Sequence, residues 1–210
     1  LAFRMQAEMP KVLDISTEPA HIRELYGIAG SDKEDEQFRR RCLLARRLVG
    51  AGVRFVQCQA SFRLKPETGR TSNWDDHSVN SHIFKAYEEK FPSFDQSVSP
   101  LIQDLSDRGL ADHVLFIFCG EFGRTPLIRN QDPSGRPGRD HWSRAMSIFL
   151  AGGGLQMGQV IGATNRRGEE PIERAMDSNC LLATIYRRFG IETSQPFYTS
   201  AGRPIPILNT

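Results

Sequence analysis

His113-Val114-Leu115-Phe116-Ile117-Phe118-Cys119 is almost continuously apolar and stops at Gly120. A strand wet on one face alternates apolar and polar residues, whereas one covered on both faces does not. The run therefore predicts a strand buried on both sides. Two further segments read the same way. Residues 145–151 are apolar and end in Gly152-Gly153-Gly154, and residues 53–58, Val-Arg-Phe-Val-Gln-Cys, form an extended run after two glycines. In a central strand, Val53, Phe55 and Gln57 would share one face and Arg54, Val56 and Cys58 the other, with Arg54 needing a carboxylate partner. Gln159 to Gly162 is a candidate short strand.

Helical patterns lie between these runs. Thr17-Glu18-Pro19 opens a short helix that Gly27 closes. In residues 31–49, Phe38, Cys42, Ala45 and Val49 recur at three- and four-residue steps. Residues 79–87 predict a helix interrupted at Pro92, and Phe94, Val98, Leu101, Ile102 and Leu105 predict a restart that Gly109 ends, with a kink near Pro100. Asp177 or Ser178 caps a last helix with Leu181, Leu182, Ile185 and Phe189 inward and Gly190 as its stop. Alternating helices and buried strands predict an α/β fold: a doubly wound, largely parallel sheet with helices on both faces.

The composition is that of a globular chain: 39% hydrophobic, 25% charged, mean hydropathy -0.41. These values exclude a disordered tail and a fibrous protein. A net charge of +2 over 210 residues gives no reason to expect a nucleic-acid partner. The basic run Arg39-Arg40-Arg41 with Arg46-Arg47 reads as a solvated helix face. No stretch approaches the roughly 20 apolar residues of a membrane span. Cys42, Cys58, Cys119 and Cys180 are widely spaced and read as four buried thiols rather than a thiolate metal site.

Ligands of open α/β sheets bind beyond the carboxyl ends of the strands. Three segments fall there: Trp74-Asp75-Asp76-His77, Gly120-Glu121-Phe122-Gly123-Arg124-Thr125-Pro126, and Gly138-Arg139-Asp140-His141-Trp142. Asp75 and His77, two apart, project to one side of an extended backbone and offer half of a divalent-metal site. Asp140-His141 offers a second such pair. Turn hydrogen bonding is the plain alternative for both. Glu121 follows the apolar strand and has three possible tasks: binding metal, pairing with Arg124, or capping a turn. The Arg124 guanidinium suits an anionic oxygen held bidentately, as in phosphate or sulfate. Gly152-Gly153-Gly154 lacks the dinucleotide fingerprint, and His21, His82 and His113 have no ligand-like neighbours.

These three segments, with Leu43 to Leu48 leading into Gly52 to Val56, Ala151 to Gly154, and Gly158 to Thr164, resemble the family called domain of unknown function 1501, a bacterial family related to alkaline phosphatases and sulfatases. The resemblance runs from about Leu13 to Pro206. It implies an alkaline-phosphatase-like sheet with one or two metals at the strand ends, hydrolysing phosphate or sulfate esters. By position, Asp75, His77 and His141 resemble ligands of one divalent, zinc-like metal. Glu121 stands where the superfamily has an aspartate, and Phe122 where it has a metal-binding histidine. Phenylalanine cannot ligate, so that departure argues against a second metal and has Phe122 closing its place. The resemblance sets the nucleophile in a preceding segment. Residues 1–210, opening at Leu1-Ala2-Phe3-Arg4, are then expected to be the carboxyl-terminal part of a single domain, incomplete at the amino terminus and without turnover alone. The family commonly carries an export signal, which implies an exported or periplasmic protein.

Two functions follow as expectations. One is a metal-dependent hydrolase of anionic phosphate or sulfate esters, with Arg124 as the catalytic oxygen holder. The other is a non-catalytic exported binding or structural relative that keeps the fold and at most one metal.

Overall fold

A computed structural model describes residues 9–29, 36–62, 64–69, 73–130 and 133–208. The opening Leu1 to Arg4 and the expected helix start at Ser31 lie outside the described residues. Among the described residues the helices include α1 (Ala20–Leu25), α2 (Gln37–Gly50), α3 (Ile83–Asp107) and α4 (Ser178–Arg188). The strands are β1 (Leu115–Phe118), β2 (Gly123–Arg124), β3 (Arg129–Asn130), β4 (Pro137–Gly138), β5 (His141–Trp142), β6 (Phe149–Gly152), β7 (Ala163–Thr164), β8 (Pro171–Glu173), β9 (Phe197–Tyr198) and β10 (Pro204–Ile205).

The expected doubly wound parallel sheet is not what forms. Among the described residues the strands make two-stranded antiparallel sheets: β1 with β6, β2 with β5, β3 with β4, β7 with β8, and β9 with β10. The physical reason lies between β1 and β6. A parallel pair needs a crossover of a dozen or so residues, usually helical, but the chain from Gly120 to Ile148 is rich in glycine, proline and polar residues and folds into short hairpin strands. It returns β6 antiparallel, with Leu115 opposite Gly152 and Phe118 opposite Phe149. Gly152 has φ +75°, and a side chain there would meet the Val114 and Ala111 carbonyl oxygens at 2.5 and 2.7 Å, so this glycine serves the turn.

Residues 53–58 form no strand. Among the described residues the run has no ladder partner and bends at Arg54; Arg54 is exposed, and Phe55 is 66% exposed. Side-chain preference for extended backbone does not make a strand without a neighbour to bond. Gln159 to Gly162 is likewise irregular, with Val160 96% exposed.

Pro92 and Pro100 do not break α3, which runs 25 residues through both. Each proline removes one amide donor. Against that loss, Val98, Leu101 and Leu105 share a buried cluster with Phe38, Cys42 and Leu43 of α2, and Tyr26, Ile28 and Phe62 complete it. Around its edge an ionic network ties α2 to α3. Arg46 donates to Asp104 (Nε to Oδ2, 2.7 Å) and to Glu18 (Nη2 to Oε2, 2.6 Å), and Arg47 also pairs with Glu18. Tyr26 and Arg108 donate to Asp104 as well.

The basic run is therefore no solvated face. Arg46 is buried, Arg39 donates to the Gly27 carbonyl, and Arg41 holds the Gln59 carbonyl and Ser61 hydroxyl against α2. The last helix also departs from expectation. Asp177 caps it, accepting from the Cys180 amide at 3.0 Å, but none of its residues is buried, and Phe189 just beyond it is 42% exposed. Among the described residues, no helix is long and apolar enough to cross a membrane.

Candidate metal centre

The loop before α3 is fixed by what it buries. Trp74 lies in an aromatic cage of Phe62, Phe118 and three α3 residues, Tyr87, Phe91 and Phe94. Asp76 points inward. Its Oδ1 accepts from Lys90 Nζ at 2.6 Å and Ser81 Oγ at 2.7 Å, and Lys90 also donates to the Asn73 carbonyl. Lys90 and Asp76 are both essentially inaccessible. Burial lowers the Lys90 pKa, and the Asp76 carboxylate opposes that shift. With Asp76 anchored inside, its neighbours Asp75 and His77 turn to the other side. Turn bonds lock the segment: the His77 amide donates to the Asp75 carbonyl, and the Asn80 and Ser81 amides donate to the His77 carbonyl.

The hairpins of residues 123–142 meet this loop. Arg124 of β2 stands directly opposite His141 of β5, so the antiparallel register puts both side chains on one face. The β4 strand lies against the loop's backbone. A side chain on Gly138 would sit 2.1 Å from the Ser78 amide nitrogen and 2.7 Å from the His77 carbonyl carbon. The Arg139 amide donates to the Asp76 carbonyl at 3.2 Å, and Arg136 Nη2 to the Val79 carbonyl at 3.1 Å.

The two segments converge on Asp75 Oδ1. His141 Nε2 lies 2.9 Å from it, His77 Nδ1 3.1 Å, and Arg124 Nη2 donates to it at 2.7 Å. Asp75, His77 and His141 each offer one ligand atom, and the three atoms lie within 4.8 Å of one another. Ligand atoms about 2.0–2.2 Å from a zinc-like ion stand roughly 3–4 Å apart, so small rotations bring this set onto one ion. One carboxylate and two imidazoles, half-buried to exposed, also fit such an ion chemically. Burial would raise the Asp75 carboxyl pKa, but the bonds from His141 and Arg124, with the charges of His77 and Arg124, outweigh it and hold it below the ordinary carboxylate range. Asp75 is therefore ionised at neutral pH, the form a metal needs.

Other expected residues fall differently. Glu121 is exposed and outside the three-residue ligand set. Arg124 pairs with Asp75, not with Glu121. The Phe122 ring packs on His141, with centroids 4.0 Å apart, and lies 5.9 Å from the Arg124 guanidinium carbon. Asp140 enters the site: its Oδ1 is 3.8 Å from His77 Nε2, the imidazole nitrogen turned away from Asp75. At that distance the carboxylate lies beside His77 without a hydrogen bond to it. Its adjacency to His141 was the sequence signal. The buried Lys90–Asp76 anchor had none, because a lysine within a charged helix reads as solvent-facing. The four thiols are free, and only Cys42 is buried. A hydrogen bond from Cys42 and the nearby Arg41 charge lower the Cys58 thiol pKa.

The family model described as Protein of unknown function (DUF1501) matches residues 1–209, and the chain belongs to that family. Nothing in that match ties the chain to the alkaline phosphatases and sulfatases, and the parallel sheet expected from them is not the antiparallel topology found. No curated protein and no solved structure matches the chain.

Proposed function

We propose that this member of the family binds one divalent, zinc-like metal through Asp75, His77 and His141 and hydrolyses phosphate or sulfate esters there. The observation that carries the reading is the convergence of the three ligand atoms within 4.8 Å from segments 64 residues apart in sequence, His77 to His141. A bound divalent ion would polarise an ester oxygen and offset charge developing on it. The turn bonds fix the backbone at His77, and the Phe122 ring and the β2–β5 register orient His141. Arg124, opposite His141, holds an oxyanion oxygen on the same face.

A second reading, a metal-binding protein without turnover, is favoured by one contact: the Arg124 group that would grip an ester is bonded to Asp75. Both readings are separated by assaying the intact natural protein with a phosphomonoester, a phosphodiester and a sulfate ester, with zinc and with a chelator. The hydrolase reading expects zinc-dependent turnover of one ester class, abolished in Asp75→Ala. Stoichiometric zinc binding without turnover of any ester would contradict it and leave the binding reading.

A further inference from the structure

We infer that metal and oxyanion bind this site with positive coupling, because Asp75 Oδ1 serves both as the shared metal ligand and as the anchor of Arg124. The inference rests on the metal reading above and concerns the order in which the site fills.

Oδ1 faces three donors, Arg124 Nη2 at 2.7 Å, His141 Nε2 at 2.9 Å and His77 Nδ1 at 3.1 Å, whereas Asn80 Nδ2 stands 3.5 Å from Oδ2. An ion shared by the three ligands must take its place beside Oδ1, where Arg124 donates. Two cations cannot both keep close contact with one carboxylate oxygen without repelling each other. Arg124 has little else to retain it. Its Nη1 reaches the Arg139 carbonyl only at 3.4 Å. The Arg124 side chain is 18% exposed, and its guanidinium carbon lies 5.9 Å from the Phe122 ring, so loss of Oδ1 leaves it in a largely covered place. A largely covered cation that has lost its anion needs another.

A tetrahedral oxyanion meets that need. One oxygen can approach the ion while another accepts from Arg124. Metal binding thus converts Arg124 from an internal partner of Asp75 into an anion receptor, and before it the receptor is largely occupied. Linkage makes the effect reciprocal: the anion strengthens metal binding by the factor by which the metal strengthens anion binding.

The test is calorimetric titration of the intact protein with sulfate, with and without saturating zinc, and with zinc, with and without sulfate. Sulfate affinity is expected to rise about tenfold or more with zinc, within the usual range for coupled sites, and zinc affinity by the same factor with sulfate. Arg124→Gln removes the competitor as well as the receptor, so it is expected to bind zinc at least as tightly as the natural protein and to lose the coupling. Arg124→Lys, which keeps the charge, is expected to retain part of it. Equal sulfate affinity with and without zinc, in protein that binds zinc stoichiometrically, overturns the coupling and leaves the metal site standing. Failure to bind zinc at all overturns the metal reading itself.

Discussion

Lys90 carries a load out of proportion to its visibility in the sequence. Its ammonium is fully covered, and its charge partner is the Asp76 carboxylate, whose neighbours supply the candidate ligands. Removing one member of a buried pair leaves the other uncompensated, at a cost of about 3–5 kcal/mol. Lys90→Met is therefore expected to lower the unfolding free energy by about that amount in urea denaturation. Lys90→Met with Asp76→Asn, which removes both charges, is expected to recover part of the loss. A single variant as stable as the natural protein would show that the pair does not anchor the loop. The pairing of Asp75 with His77 was legible from their two-residue spacing. The inward residue between them was not, since nothing local marks which of two adjacent aspartates turns into the core.

At the scale of elements, the site depends on docking the 74–81 loop against β4, and Gly138 is where the backbones meet. A β-carbon 2.1 Å from the Ser78 nitrogen has no room, and the atoms it meets are backbone, which cannot rotate away as a side-chain tip can. Gly138→Ala is expected to push hairpin and loop apart, weakening metal affinity by tenfold or more on the order expected for misplaced ligands. The α2–α3 core lies elsewhere, so far-ultraviolet circular dichroism should change little. Unaltered metal affinity in Gly138→Ala would show that the approach does not position the ligands. The three chemistry-bearing segments could be read from the sequence as separate loops. Their meeting could not be read correctly, because it was inferred from a parallel sheet. The two-residue strands that produce it, such as Gly123-Arg124 opposite His141-Trp142, are too short to leave a periodic pattern.

At the scale of the molecule, the amino-terminal half holds the buried cluster and its ionic edge, and the site sits where that half meets the hairpins. The edge predicts acid sensitivity. Burial would raise the Glu18 pKa, but Arg46 and Arg47 outweigh it and hold it lower. A carboxylate depressed on folding contributes stability fully present above its unfolded value, about 4.3, and lost as pH falls through the folded value. Unfolding free energy should therefore decline on acidification below about pH 4.3, and less steeply in Glu18→Gln. An unchanged slope in that variant would remove Glu18 from the account. The positions of α2 and α4 and the presence of a strand at Leu115–Phe118 were legible from their apolar residues. The unbroken course of α3 through both prolines was not, nor was the half-buried state of that strand, which has a single ladder partner rather than cover on both faces, and strand direction depends on what the connecting chain does. The central claim is that Asp75, His77 and His141 hold one ion. It is tested most directly by titrating cobalt(II) into the folded, chelator-treated protein and following the visible absorption of the bound ion. One equivalent is expected to saturate the signal, zinc to displace it, and Asp75→Ala, His77→Ala and His141→Ala each to abolish it while remaining folded. No stoichiometric signal, or one that survives in both histidine variants, would contradict the claim.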